Sequence, residues 1–307
     1  MDIIKNISKK FIDIPQNHFV FDIETTGLSP KFCKVILIGI VYNKNNQTII
    51  KQFFASNDDE EKELLLAFID EIKSFDKHIT FNGFTFDIPF LNSRFEKNKI
   101  DFSLNKDDDI DILRLIKPYK EKLSLVDCKL KTIEKYIGIN RDDTICGKES
   151  VELYNEFKNT QDKKLKDKIL LHNYDDIYYL SQMIKIKDII LDKLNPLIIN
   201  INNQKLSFVQ NSYRINKNNL SMKYDIFDGY LKNINIYEDS YSILCEDNNL
   251  IININVNKGN DSNNNEILFY NLSTIIPLKF NNNMLEDNIN NLCNYLVKKE
   301  LSTLWYD

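Results

Sequence analysis

Glycine and proline are scarce in this sequence, which has 7 and 6 of them among its 307 residues. Flexible and extended linkers are rich in these residues, so the composition argues against a long disordered segment. No apolar run reaches the roughly 20 residues that a membrane-spanning helix needs. Residues 1–16 also lack the continuous apolar core of a secretion signal. We therefore expect a cytoplasmic protein with no membrane segment.

Cysteine pairs are absent as well. The 5 cysteines are widely spaced, odd in number, and include no CxxC motif. This pattern argues against a disulfide framework and against a thiolate zinc site. It favours reduced cysteines, as is usual in the cytoplasm.

Basic residues are fewer than acidic ones. The sequence has 40 lysines and arginines and 45 aspartates and glutamates, which gives a formal net charge of −5. Nucleic-acid-binding proteins are often basic, so the overall charge counts against that class. A cluster of carboxylates that holds a divalent metal would account for part of the acidic excess. Local basic patches could still contact phosphates.

The hydrophobic pattern predicts an α/β protein whose mixed sheet is flanked by helices. Up to about residue 190, period-2 and continuous apolar runs predict strands, and period-3.6 runs predict helices. The predicted strands are His18–Thr25, Val35–Tyr42, Thr48–Ala55 and His78–Phe81. The predicted helices are Glu60–Phe75, Asp87–Lys99, Lys129–Ile137, Ser150–Lys158 and Lys163–Lys187.

The pattern changes near Pro196, where helical periodicity gives way to short β-rich runs separated by asparagine-rich turns. The predicted strands there are Leu206–Val209, Tyr230–Ile236, Ser242–Cys245, Leu250–Val256 and Ile267–Tyr270. A final amphipathic helix carries Leu285, Ile289, Leu292 and Leu296 on one stripe. We therefore predict an α/β domain over residues 1–198 and a smaller, β-rich α+β domain of unassigned role over residues 199–307.

The segment that is most informative about chemistry begins with Asp22 and Glu24. Side chains alternate along a strand, so these two acids share one face of it. Two adjacent carboxylates in an apolar strand repel each other and lose solvation, and a divalent cation would offset both costs. The alternative is an exposed strand face with solvated acids. The Thr25-Thr26-Gly27 turn that follows directly favours the metal site.

Two further segments supply acids. Asp87 stands shortly after a predicted strand and at the start of a predicted helix. Taken alone, it could bind metal or simply cap the helix, because aspartate is favoured at that position. His172 and Asp176 are four residues apart in a predicted helix and therefore share a face. They could form a metal ligand and a general base, or merely a surface ion pair.

The order of these three segments resembles that of the YprB-like ribonuclease H-like domain proteins in the DEDD (DnaQ-like) 3′–5′ exonuclease superfamily. The resemblance covers about residues 15–190. Weaker marks of it are Asp109–Leu113, Lys129–Glu134, Gly138–Arg141 and Gly147–Val151. The resemblance implies a ribonuclease H-like fold and a metal-dependent exonuclease that acts on nucleic acid, with DNA favoured and DNA repair as a setting. It also implies two Mg²⁺ or Mn²⁺ ions as cofactors.

The resemblance also implies roles for individual residues. Asp22, Glu24, Asp87 and Asp176 correspond to the family's metal-binding acids, and His172 to its general base. His172 stands four residues before Asp176, whereas many superfamily members have a tyrosine there or a histidine one residue earlier. The expected substrate contacts are Thr25, Thr26, Asn82, Phe84, Arg141 and Lys148. Among them Phe84 is expected to stack on a terminal base.

A basic stretch and two other functions remain open at this point. Residues 114–135 are rich in lysine and form either a phosphate-binding rim or a solvated helix face. The chain could also be a non-catalytic nucleic-acid-binding module, or a subunit whose C-terminal domain recruits a partner such as a helicase. The presence of all four acids favours the enzyme, because a binding module has no need of an unpaired acidic cluster.

Overall fold

The structure is a computed structural model that describes residues 1–141, 145, 147–201, 203–246 and 248–304. The chain divides into two compact units, Met1–Ile186 and Lys187–Asp307. Within the described residues, no helix is both long enough and apolar enough to cross a membrane.

The first unit is built on a six-stranded mixed sheet. Its strands are β1 (Asp2–Ile7), β2 (His18–Thr25), β3 (Val35–Lys44), β4 (Gln47–Phe54), β5 (Lys77–Thr80) and β6 (Asp109–Asp111). They lie in the order β1-β4-β3-β2-β5-β6. The first four strands pair antiparallel, and β5 and β6 run parallel to β2. The carboxyl ends of β2, β5 and β6 therefore meet at one edge of the sheet.

Helices cover both faces of this sheet, which confirms the predicted α/β architecture. The helices of this unit are α1 (Glu61–Ile72), α2 (Asp87–Lys97), α3 (Ile112–Ile116), α4 (Leu130–Tyr136), α5 (Gly147–Thr160) and α6 (Lys163–Gln182). Phe19, Phe21 and Ile23 of β2 pack with α1 and α2 in one core. Because side chains alternate along the strand, Asp22 and Glu24 face the opposite layer, where α6 contacts β2 and β3.

The sequence analysis missed β1 and β6. β1 is an edge strand whose side chains are exposed or half-buried, so it has no strong apolar alternation to detect. β6 has only three residues, two of them acids, and its apolar content is too low to indicate a strand. It forms because it completes the parallel edge beside β5.

The second unit is almost entirely antiparallel β structure. Its elements are α7 (Ile186–Lys193), β7 (Leu197–Ile201), β8 (Gln204–Asn216), β9 (Asn219–Asp228), β10 (Ile234–Tyr237), β11 (Tyr241–Glu246), β12 (Asn249–Asn255), β13 (Asn257–Asn260), β14 (Glu266–Asn271), β15 (Ile275–Phe280), β16 (Asn283–Met284) and α8 (Glu286–Leu301). A six-stranded sheet has the order β10-β11-β12-β9-β8-β7, and a four-stranded sheet the order β13-β14-β15-β16. Side chains from both sheets and from α8 form one core.

The units divide earlier than the predicted boundary at residues 198 and 199. β7 begins at Leu197 and pairs along its length with β8, so residues 197 and 198 belong to the second sheet. The sequence analysis also missed β9, although Leu220, Met222 and Tyr224 alternate with polar residues and are buried. Independent folding of the two units stays a prediction.

A buried ion pair fixes α2 against the rest of the first unit. Arg94 of α2 donates from Nε to Glu61 Oε1 at 2.7 Å and from Nη2 to Glu61 Oε2 at 2.5 Å. Glu61 Oε1 also accepts from the main-chain N–H of Val35 at 2.8 Å, and both charged side chains are 3% exposed. The pair therefore joins the start of α1, the start of β3 and the helix that begins with Asp87.

We predict that Arg94→Met lowers the free energy of unfolding by about 3–5 kcal/mol, because it leaves the buried Glu61 carboxylate without its counter-ion. Urea unfolding of the full chain measures this change. The matched control is Lys73→Met, which breaks an exposed pair with Asp70 at the end of α1 and should cost less than about 1 kcal/mol. Equal losses for the two variants would contradict the assignment.

Candidate active site

β2 places two acids, the half-buried Asp22 and the buried Glu24, on the face of the sheet that α6 covers. Glu24 is 7% exposed, and burial together with the charge of Asp176 raises its pKa to about 8. The Ser150 hydroxyl, which is fully buried beside Glu24, partly offsets this rise. Burial also raises the pKa of Asp22 well above its usual range, and the charges of Asp87, Asp176 and Glu24 raise it further. The ionised forms of these acids are thus strongly disfavoured unless a cation is bound.

Asp87 reaches the same cluster from the first residue of α2. Its Oδ1 accepts a hydrogen bond from the main-chain N–H of Ile23 at 3.3 Å, which holds the carboxylate against β2. Burial raises its pKa to about 7. The capping alternative is not what the structure shows, because the N-cap residue of α2 is Phe86 and no side chain caps the helix.

Asp111 holds the turn that delivers Asp87. Its two carboxylate oxygens accept from the main-chain N–H groups of Asn82 at 2.9 Å and Phe84 at 3.3 Å. The same carboxylate accepts from the N–H of Leu113 at 2.9 Å and so caps α3. Asn82 has a φ of 66°, in the left-handed region that asparagine tolerates better than most residues. In the sequence Asp111 was only a weak family mark, because its function depends on β6, which was not predicted.

α6 brings the last two candidate residues over the sheet. His172 Nε2 lies 3.4 Å from Glu24 Oε1 and 3.5 Å from Asp176 Oδ2. Among the described residues, Glu24, His172 and Asp176 form a group whose possible ligand atoms all lie within 4.8 Å of one another. Two carboxylates and an imidazole at this spacing can hold a divalent cation, or they can bind and deprotonate a water molecule.

Arg141 was expected to contact substrate, but in the structure its donors are bound to protein carboxylates. Its Nη2 donates to Asp176 Oδ1 at 2.6 Å and its Nε donates to Glu134 Oε2 of α4 at 3.0 Å. The side chain is 8% exposed. Arg141 therefore orients Asp176 and leaves the other oxygen, Oδ2, facing His172.

The two threonines that follow Glu24 build the turn at the end of β2. Thr25 Oγ1 donates to the carbonyl of Gly27 at 2.8 Å, and Thr26 Oγ1 accepts from the N–H of Lys34 at 2.9 Å. Both hydroxyls thus have partners within the protein. Lys148, another expected substrate contact, is exposed on α5 and forms an ion pair with Glu152 at 3.9 Å.

Two cationic side chains contact the ring of Phe84 at the turn before α2. The Arg114 guanidinium carbon is 3.7 Å from the centroid of its ring, and the Lys106 ammonium is 4.5 Å from it. The ring is half-buried, and the adjacent Asn82 Oδ1 accepts from the Thr85 hydroxyl at 2.5 Å. An aromatic ring with two cations beside it suits the base and the phosphates of a nucleotide. The sequence analysis named Phe84 and the basic stretch separately and did not connect them.

Three residues of the cluster's surroundings received no role in the sequence analysis. They are Gly39, Gln52 and Asn173, which contact one another or Asp22 above the centre of the sheet. They come from two strands and a helix, and no local sequence pattern connects them.

Comparisons with known proteins agree with this architecture. A family model described as the RNase H superfamily matches residues 19–187, more than half of the chain. A DNA polymerase III PolC-type from Ureaplasma parvum is 35% identical over 138 residues, covering 36% of this chain and 9% of that relative. The chain thus spans less than a tenth of the length of this curated relative.

Two solved structures are also similar. The family B DNA polymerase of the archaeon Pyrobaculum calidifontis has 16% identity and a TM-score of 0.45, covering 59% of this chain and 25% of that one. The zinc-bound E. coli ExoI–ssDNA complex has 14% identity and a TM-score of 0.34, covering 67% of this chain and 53% of that one.

The raised pKa of Glu24 predicts a pH-dependent stability. Its folded value of about 8 exceeds the unfolded value of about 4.3, so folding favours the protonated acid. This contribution is complete below about pH 4 and is lost as the pH rises toward 8. In metal-free protein, we expect Glu24→Gln to raise the thermal midpoint over wild type, by little at pH 5 and by more at pH 8.

Calorimetric scans in the presence of a chelator measure this difference. The matched control is Glu149→Gln, which changes an exposed acid of α5 and should give a difference that is independent of pH. A Glu24→Gln difference that is also constant from pH 5 to 8 would show that Glu24 is not held protonated in the folded chain.

Proposed function

This chain belongs to the RNase H superfamily, and we propose that it is a metal-dependent 3′–5′ exonuclease that hydrolyses phosphodiester bonds, with DNA as the favoured substrate. The observation that carries this proposal is the convergence of Asp22, Glu24, Asp87 and Asp176 with His172 at one edge of the sheet. Of the four acids, only Asp176 has a lysine or arginine ion-pair partner among the described residues. Glu24 and Asp87 are buried and Asp22 is half-buried, all three have raised pKa values, and a bound cation would favour their ionised forms.

The residues present fit divalent metal ions. Carboxylate oxygens are the ligands that Mg²⁺ and Mn²⁺ prefer, and the four acids would hold two such ions. When bound, the ions would supply positive charge that stabilises the attacking and leaving oxygens of the displacement.

His172 is the group that we assign to proton transfer. Its Nε2 atom is directed toward Glu24 and Asp176, at the edge of the carboxylate cluster. An imidazole at this place can accept the proton of the attacking water at Nε2. Arg141 holds the adjacent Asp176 carboxylate in position and thereby helps to orient the site.

We assign substrate binding to the turn before α2. Phe84 would stack on the terminal base, while Arg114 and Lys106 at its ring would neutralise the adjacent phosphates. The preference for DNA is supported by the resemblance of this chain to a part of a DNA polymerase. The DNA repair setting and a helicase partner stay predictions, and the predicted domain of residues 199–307 has no assigned role.

The proposal is tested by incubating the full chain with DNA and RNA labelled at either the 5′ or the 3′ end. With Mg²⁺ or Mn²⁺, we expect mononucleotides to be released first from the 3′ end, and no release with chelator. Binding of the labelled strands without metal-dependent cleavage would favour the non-catalytic nucleic-acid-binding module instead.

We predict that His172→Ala reduces kcat by about 10²- to 10⁴-fold with little change in substrate or metal affinity, because removal of a general base affects the chemical step. Single-turnover kinetics and Mn²⁺ titration measure the two quantities. The matched control is His18→Ala at the other end of the strand that carries Asp22 and Glu24, which should retain wild-type turnover. Wild-type turnover in His172→Ala would move the proton acceptor to another group.

A further inference from the structure

Asn173 is a polar residue in the most buried part of the first unit. It belongs to α6, its side chain faces the sheet, and it is 0% exposed. Its Nδ2 lies 3.4 Å from Asp22 Oδ2, and its Oδ1 accepts from Gln52 Nε2 at 3.0 Å. A buried side-chain amide costs free energy unless its polar groups have partners, and here both ends of the amide do.

The strand register places all the partners of Asn173 side by side. Asp22 of β2 is paired with Gly39 of β3, and Gly39 is paired with Gln52 of β4. Residues that are paired across neighbouring strands point to the same face of the sheet, so Asp22 and Gln52 flank an empty position at Gly39. The side chain of Asn173, which projects from α6, occupies this position. A Cβ atom at Gly39 would lie 2.3 Å from Asn173 Oδ1 and 2.8 Å from Ile177 Cδ1.

The orientation of both amides follows from a main-chain carbonyl. Gln52 Nε2 donates to the carbonyl oxygen of Leu170 at 2.8 Å, and a carbonyl can only accept. The amino end of Gln52 must therefore point toward α6, where its second hydrogen meets Asn173 Oδ1. Asn173 consequently turns its own amino group toward Asp22, and its donor is directed at the carboxylate.

We propose that Gln52 and Asn173 act as positioning residues that hold Asp22 Oδ2 and leave Oδ1 of the same carboxylate directed at the metal site. This inference rests on the proposed function. Both residues are buried, and Gln52 acts on Asp22 only through Asn173. The role differs from simple core packing, because an apolar pair of similar size would fill the same space without orienting Asp22.

The test measures Mn²⁺ binding to the full chain by isothermal titration calorimetry. Removing an outer hydrogen-bond partner of a metal ligand typically weakens metal affinity by about 10- to 100-fold. We expect a loss in this range for Asn173→Leu, and a loss of about 10-fold for Gln52→Met although Gln52 does not contact Asp22. The double variant should bind Mn²⁺ no more weakly than Asn173→Leu, because both substitutions break one chain of hydrogen bonds.

Thermal midpoints in chelator separate positioning from loss of structure. The double variant leaves no unpaired amide and should be at least as stable as either single variant. The matched control is Thr48→Val, on the same strand as Gln52. Thr48 is also buried, and its hydroxyl donates to Asn43 Oδ1 at 2.8 Å, a contact that does not involve the acids of the site. It should lose stability and keep wild-type Mn²⁺ affinity.

The outcomes distinguish this inference from the proposed function. If the wild-type chain does not bind Mn²⁺, the proposed metal-dependent function is wrong, and so is the positioning role of Gln52 and Asn173. If the wild-type chain binds Mn²⁺, and both Gln52→Met and Asn173→Leu bind it as tightly as wild type, the positioning role is overturned and the proposed function stands. If Asn173→Leu does not fold, Gln52→Met and the double variant decide the question on the same criterion.

Discussion

The first unit is organised around the repulsion and lost solvation of the carboxylates on one face of β2. Asp22 and Glu24 would be destabilising in any ordinary sheet, because burial and neighbouring negative charge both disfavour their ionised forms. The surrounding elements bring further acids to this place, Asp87 from α2 and Asp176 from α6. An arrangement that concentrates acids in this way is stabilised either by protonation of the carboxylates or by bound cations.

The other polar contacts around the site fix where each carboxylate points. Asp111 holds the turn before Asp87, and Arg141 holds one oxygen of Asp176. The buried pair of Glu61 and Arg94 performs the same task for α2 as a whole, since it joins that helix to the start of β3. Asp87 and Asp176 are thus each held in place by a charged neighbour, Asp87 by Asp111 through the turn before α2 and Asp176 by Arg141 through a direct ion pair.

Much of this arrangement could be predicted from the sequence. The parts of the site that could not be predicted were missed for one common physical reason. Alternation in β2 and the four-residue spacing of His172 and Asp176 are local signals, so the acids were recognisable before the fold was known. β6, the role of Asp111 and the group around Asn173 depend on which strands become neighbours. Such contacts join residues that are far apart in the chain, and no period or motif encodes them. In the second unit, β9 was missed although its alternation was present.

The missing side chain at Gly39 has a consequence for how this protein can change by mutation. α6 approaches the sheet at this point closely enough that one added methyl group would meet Asn173 and Ile177. Any larger residue at Gly39 would force the side chains of Asn173 and Ile177 to shift, and both project from the helix that carries His172 and Asp176. Positions 39, 52 and 173 are therefore expected to be epistatic: a substitution at one of them becomes tolerable only after a compensating substitution at another, so the three should evolve as a unit.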